Sequence, residues 1–276
     1  MLSVSCLLGQ AQIEQYGPFV GGNLFLYKSN LYNSQDLHAD SVQHYQITPG
    51  FGLSFDFGYR YLNGLSIQSG LSYGSSGQHY NGKDSVVGDV VTFSAKTNMS
   101  FIKVPLIFSM TTRNDKPVKA FYSVGIFAAL NTGFSESFSF DFAHAVNASY
   151  TTTITKETYE VKYKNDTAKH AYNLNERPYR SLGWGAILAL GASKRMNKKT
   201  EGFMQLKMEY QLSSSENTDQ MIFTPQAGTA DSKHLGYVWG NYAKYMHHNG
   251  NYNRPATHPF NLGLTFGIRH FIFDFD

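Results

Sequence analysis

The chain has 276 residues, of which 42% are hydrophobic and 15% aromatic, with 21 Phe, 19 Tyr, 25 Gly and a formal net charge of +3. No run of eighteen apolar residues occurs, which excludes a membrane-spanning helix but not a strand-built membrane protein, whose inward polar residues dilute hydropathy. A charge this mild speaks against a nucleic-acid partner.

Residues 1–11 are expected to be the tail of a secretory signal. Leu2, Val4, Cys6, Leu7 and Leu8 form a short apolar stretch, and Gly9-Gln10-Ala11 offers a small-x-small cleavage site before Gln12. The domain would then be 12–276. Cys6 is the only cysteine, so a chain that loses it has no disulfide and no thiolate metal site.

Eight strands are predicted in chain order. The first spans Tyr16 to Lys28, with Val20, Leu24 and Leu26 facing one way and Phe19 and Phe25 the other. The second carries the strongest pattern. Its odd positions read Ile47, Pro49, Phe51, Leu53, Phe55, Phe57, Tyr59 and Tyr61, while its even positions read Thr48, Gly50, Gly52, Ser54, Asp56, Gly58 and Arg60. Side chains alternate faces along a strand, so one face is greasy and the other is small or charged. A sandwich strand holds such alternation for about five or six residues, whereas a strand crossing an outer membrane needs roughly ten.

Asn63-Gly64 predicts a tight hairpin turn. The third strand runs from Leu65 to Ser76, the fourth from Asn98 to Thr111, and the polar turn 113–117 follows. The fifth starts near Lys119, and Phe134, Phe138, Phe140 and Phe142 keep its outward parity, so strands five and six are expected to extend above the membrane as a hairpin. The sixth runs from Ser181 to Met196. The turn Asn197 to Glu201 leads to the seventh, where Met204, Leu206, Met208, Tyr210 and Leu212 alternate with Gln205, Lys207, Glu209 and Gln211. The eighth spans Pro259 to Phe275.

Short connections follow strands two, four and six. Long ones follow strands one, three, five and seven: 29–45, 77–97, 133–180 and 213–258. Short turns at one end and long loops at the other are how outer-membrane barrels are arranged, and four long loops would be unusual in a compact soluble domain. The fold expected is therefore all-β, a transmembrane antiparallel up-and-down barrel of eight strands in the bacterial outer membrane, with a ten-stranded barrel as the alternative.

A barrel of eight strands is just wide enough for side chains to fill it. Asp56, Arg60, Gln68, Lys103, Gln205, Lys207, Glu209 and Arg269 face inward and are read as a structural polar network that closes the lumen, because an unpaired charge there is costly. Gly70-Leu71-Ser72-Tyr73-Gly74 matches a hydrolase motif that needs a strand-to-helix turn around the serine. It lies inside an alternating strand, so no catalytic residue is assigned. Most of the ten histidines fall in predicted loops without a carboxylate at ligand spacing, so neither a metal nor a cofactor is expected. Tyr159 and Tyr163, in the third long connection, and Tyr237, Trp239, Tyr242 and Tyr245, in the fourth, are the candidate loop contacts. Pro105 cannot donate to a ladder, so a bulge or a water is expected beside it.

At Phe101-Ile102-Lys103-Val104-Pro105-Leu106, followed by Ala120-Phe121-Tyr122-Ser123-Val124-Gly125, the chain resembles the PorT-like outer-membrane β-barrel family of the Bacteroidota. Gly21-Gly22-Asn23-Leu24 is similar to that family's first strand. The resemblance implies a barrel without catalytic residues and connects one member with type IX secretion. The enlarged third and fourth loops depart from it. The function expected is a non-enzymatic barrel that binds a ligand or anchors an envelope assembly, with outer-membrane lipid and an envelope protein as partners. A lipid-acting enzyme and a small passive channel are the alternatives.

Overall fold

The computed structural model describes residues 16–33, 43–46, 48–86, 89–112, 117–142, 150–155, 158–163, 166–171, 179–217 and 256–272. Among them are twelve strands: β1 (Gly17–Asn33), β2 (Gln43–Gln46), β3 (Thr48–Arg60), β4 (Leu65–Val86), β5 (Asp89–Thr111), β6 (Val118–Phe142), β7 (Tyr150–Thr155), β8 (Thr158–Tyr163), β9 (Asp166–Ala171), β10 (Leu182–Arg195), β11 (Thr200–Gln211) and β12 (Thr257–Phe271). Eight of these close a barrel in the order β1-β3-β4-β5-β6-β10-β11-β12, with β12 returning to β1 and every neighbour antiparallel. The ten-stranded alternative is excluded, because β7, β8 and β9 form a meander on the upper part of β6 and β2 pairs only with β4.

The register fixes the shape of the barrel. From Phe19 the cross-strand partners run through Gly58, Gln68, Ile107, Gly125, Ile187, Glu209 and Asn261, and return to β1 at Ser29. One circuit therefore climbs from residue 19 to residue 29, a stagger of ten residues over eight strands. With ordinary strand spacing and rise, that stagger tilts the strands by about 40°. About ten residues per strand at that tilt cover roughly 25 Å, the height of an outer-membrane apolar band. The outward residues match it: Phe55 and Ile126 are each 59% exposed and Leu190 is 65% exposed, which only lipid makes tolerable.

At the short-turn end, the β3–β4 connection differs by one residue from the tight turn expected at Asn63-Gly64. Gly64 N–H donates to the Tyr61 carbonyl (3.0 Å), so Leu62 and Asn63 are the central residues, and Gly64 takes the left-handed conformation (φ 87°). This is a three-residue hairpin with a glycine bulge.

At the other end, residues 77–97 are not the loop expected. β4 and β5 stay paired out to Val86 and Asp89. The inward pair Gln78–Thr97 is polar and buried, and residues 79–96 show no regular alternation, so the stretch gives no strand signal. β6 runs on to Phe142, but its partners there are β5 and β7, while β10 begins only at Leu182. The hairpin expected from strands five and six is thus replaced by a wall on the β4–β6 side alone. Phe134 also departs from the outward parity expected of it. Opposite Ser100 and Phe101, Thr132 is an extra residue in β6. A bulge switches every later side chain to the other face, and Phe134 lies buried against Tyr179 (4.6 Å between ring centroids).

Pro105 is accommodated without a bulge of its own. The β4–β5 ladder is interrupted between the pairs Ser69–Leu106 and Ser72–Lys103 without a change of register. The Ser69 hydroxyl donates to the Pro105 carbonyl at 2.7 Å across that gap.

Candidate functional site

The inward faces of the eight barrel strands converge on two charged clusters, stacked along the barrel. The first lies near the short-turn end. Arg60 closes β3 and Glu201 opens β11, and their side chains meet in a two-pronged ion pair: Nη1 to Oε2 at 2.6 Å and Nη2 to Oε1 at 2.9 Å. Arg269 of β12 approaches the same carboxylate (3.2 Å) and also reaches Gln68 Oε1 (3.4 Å). All four residues are buried.

The second cluster centres on Glu209, eight residues further along β11. Lys103 Nζ contacts its Oε2 at 2.6 Å and Lys207 Nζ contacts its Oε1 at 2.7 Å. Asp56 lies where both Lys207 and Arg269 act on it electrostatically and accepts a hydrogen bond from Asn23 Nδ2. Gln205 faces the lumen half-buried, outside both clusters.

Within the band four buried cations face three buried carboxylates, and aromatic rings supply the remaining counter-field. The Arg269 guanidinium lies over Phe19, Phe121 and Phe203, at 5.7, 5.3 and 4.3 Å from the ring centroids, and Arg60 lies over Phe271 at 5.0 Å. Lys103 sits over Phe101 and Phe127, and Lys207 over Phe25. Desolvated cations gain most from such faces.

The rings are held by glycines. Phe19, Tyr27, Phe121, Phe127 and Phe203 lie directly across the ladder from Gly58, Gly50, Gly191, Gly185 and Gly267. A Cβ at any of these glycines would fall within 3.0 Å of its ring. The Tyr27 hydroxyl continues across β3 to the Phe51 carbonyl (3.0 Å) and accepts from Ser75 N–H (3.0 Å), tying three strands together.

Of the eight residues expected in a lumen network, Asp56, Arg60, Gln68, Lys103, Lys207, Glu209 and Arg269 lie in or beside the two clusters and Gln205 lies outside them, while Glu201 was not among the eight. Glu201 was expected in the turn before strand seven. Extending the two-residue period back from Glu209 through Lys207, Gln205 and Phe203 puts it inside, which is the signal that was missed. Phe19 and Phe25 were read on the face opposite Leu24, but inward aromatics were given no role because a lumen was expected to be polar, whereas these rings are the partners of its cations.

Beyond the regular strands at the long-loop end, residues 179–180 and 213–217 carry the β10–β11–β12 wall onward. Tyr179 bridges to Glu216, Arg180 N–H donates to the Ser215 carbonyl and Ser215 N–H to the Thr257 carbonyl (each 2.8 Å). Gln211 Nε2 reaches Ser215 Oγ at 3.0 Å, and the Glu216 side chain is wholly buried. Of the candidate loop contacts, Tyr159 and Tyr163 lie on β8, where only the backbone is described, and Tyr237, Trp239, Tyr242 and Tyr245 fall outside the described residues. Four histidines expected in loops are on strands: His44 on β2, His79 on β4, His170 on β9 and His258 on β12. Among the described residues no three His, Cys, Asp or Glu side chains gather as metal ligands do. Ser72 of the hydrolase-like motif pairs flatly with Ser54 and Lys103 in mid-strand.

Residues 10–216 match the family described as outer membrane protein beta-barrel domain. The chain belongs to that family. β12 lies beyond the matched segment, after the long connection that precedes it. No curated protein matches the chain in sequence. Among solved structures it is similar to Neisserial surface protein A at 10% identity, covering 94% of this chain and 97% of that one with a TM-score of 0.36. It is also similar to the outer membrane protein OprG from Pseudomonas aeruginosa, at 10% identity, 92% and 95% coverage and a TM-score of 0.35. The outer membrane protease OmpT from Escherichia coli matches at 10% identity, 94% and 97% coverage and a TM-score of 0.42. The protein is a bacterial outer-membrane barrel.

Proposed function

We propose that the protein is a non-enzymatic barrel with a lumen closed to solutes, serving as a membrane anchor whose loop end binds a partner in the cell envelope. The observation that carries this reading is the interior itself. Among the described residues, the four cations and three carboxylates within the band are each engaged by an opposite charge or an amide, and the cations are further covered by aromatic faces, an arrangement that favours a closed lumen. The resemblance to PorT-like barrels of the Bacteroidota supports an envelope assembly, of which secretion is one kind. The loop end supplies the surface: long connections held at both ends by a rigid barrel vary at little cost, and binding residues concentrate on such loops.

Purified protein in planar bilayers is expected to show no steady conductance on a porin's scale, and large stable channels would overturn the closed lumen. Deleting Asp231 to Asn253 is expected to leave a heat-modifiable barrel in the membrane while abolishing partner recovery by crosslinking. A partner retained by that deletion would move recognition to the wall or the short-turn rim. Orientation has its own test. In a chain lacking Cys6, cysteines at Asn165 and Asn249 should react with an impermeant thiol reagent on intact cells, and cysteines at Asn63 and Asn197 should not.

A further inference from the structure

Among the described residues, the charge at the short-turn end is one-sided. Lys194 and Arg195 end β10, Lys198 and Lys199 form the turn into β11, and Lys119 of β6, half-buried on the lumen-facing parity, lies across the ladder from Ser193. On the opposite side of the barrel the β3–β4 turn, Tyr61 to Gly64, carries no charge at all. Among the described residues at this end the only acidic side chain is Glu201, which is buried and engaged by Arg60 and Arg269.

The basic turn is preorganised. Asn197 Oδ1 accepts from the backbone N–H of Lys199 (3.0 Å) and Thr200 (2.8 Å), Met196 N–H donates to the Thr200 carbonyl (2.9 Å), and Arg195 Nε donates to the Asn197 carbonyl (3.1 Å). Beside the cations stands an apolar ledge: Val118, Leu190 and Met196 are 48%, 65% and 68% exposed. Between Leu190 and these ends Ala120 pairs with Ala192 and Gly202 with Lys194, while Met204, 50% exposed, stands across the ladder from Ala192. The wall is therefore shallow at the Ala120–Ala192 pair, just where the apolar band gives way to charge.

We propose that this rim, formed by β6, β10 and the β10–β11 turn, is a binding site for anionic phospholipid in the adjoining leaflet. The phosphate headgroup meets Lys194, Lys198 and Lys199, and an acyl chain lies along the Ala120–Ala192 depression against Leu190 and Met196. Clustered lysine and arginine at a membrane surface attract anionic headgroups, and their aliphatic stems lie along apolar wall while the charge stays at headgroup level. The ledge favours lipid over an acidic protein, which would have no use for exposed Met196 and Leu190 at the edge of the band.

The test uses the full chain reconstituted in nanodiscs of phosphatidylethanolamine containing about one fifth phosphatidylglycerol, with retained lipid measured after detergent exchange. The protein is expected to enrich phosphatidylglycerol over the bulk ratio. The triple variant Lys194→Gln, Lys198→Gln, Lys199→Gln should lose that enrichment by roughly fivefold or more, as should the unmodified protein in high salt. A second variant, Leu190→Ser with Met196→Ser, keeps the charge and should also lose enrichment; unchanged enrichment there would mean that no acyl chain is held on the ledge and overturn the proposal. Equal retention by the native and triple-variant proteins, both verified as folded by heat modifiability, would overturn it as well. Displacement by inorganic phosphate at the concentration of the lipid headgroup would mean that the rim reads phosphate alone, which also rejects the lipid assignment.

Discussion

The two lumen clusters share a plan but differ in chemistry. Each surrounds one glutamate of β11 with two cations, yet Glu201 is held by arginines and Glu209 by lysines. Around Glu201 the planar fork of Arg60 matches both carboxylate oxygens, and Arg269 stacks among three phenylalanine rings. Around Glu209 each lysine brings a point charge to one oxygen on a flexible stem. Guanidinium groups hold geometry and stay charged, whereas lysines adapt and can shed a proton when buried. The arginine cluster is thus the rigid one, seated where the chain turns back, and the lysine cluster is the adaptable one in mid-barrel.

Removing the acid from each cluster should separate them most. Glu201→Gln strands two arginines that cannot neutralise, so destabilisation of about 3–5 kcal/mol is expected, read as a lower urea midpoint in lipid vesicles. Glu209→Gln should cost less, about 1–3 kcal/mol, because Lys103 and Lys207 have more freedom to relax. If the two variants are equally unstable, the distinction between rigid and adaptable clusters fails. Replacing Glu201, Arg60 and Arg269 together by Leu or Met should recover most of the loss, since well-packed apolar side chains often equal a buried ion cluster.

Arg60→Lys sharpens the comparison at smaller scale. It keeps the charge but loses one prong of the pair, so about 1–2 kcal/mol is expected in the same assay. Lys207→Arg, the reverse exchange, inserts a larger head beside Phe25 and should also destabilise, by about 1 kcal/mol or more through overpacking.

The smallest effect lies outside the membrane band, at His79 of β4. Burial, and then the neighbouring Lys96, lower its pKa from 6.5, so the folded extension prefers the neutral ring. The stability this contributes is complete above pH 6.5 and is lost as pH falls through the depressed folded value. Backbone amides of Asn81 and Gly82, which pair with Ser94 and Phe93, should show lower protection factors (exchange corrected for the intrinsic rate at each pH) at pH about 5 than at about 7.5, with no such change in β11.

Most of the barrel was legible in the chain because a band of lipid forces a period of two. β3, β11 and β12 each carry it, and the eight strands and their inward charges Asp56, Arg60, Lys103, Lys207, Glu209 and Arg269 follow from parity alone. Legibility stops where lipid stops. Beyond the band the long hairpin of β4 and β5 and the short β2 lack regular alternation, while the alternating phenylalanines of β6 marked its extension but not its partners β5 and β7.

Two further features were set by packing rather than pattern. The inward Phe19 and Phe25 read as parity errors until each is seen opposite a glycine and under a cation. The bulge at Thr132 turned Phe134 inward, which strand parity counted across an unmarked extra residue assigns to the wrong face. Composition and alternation by themselves determined a lipid-facing barrel with charged contents, because burial in lipid constrains every second residue. The stagger of ten and the sharing of each glutamate between two cations were decided only in three dimensions, because each joins strands far apart in sequence whose register no local pattern encodes.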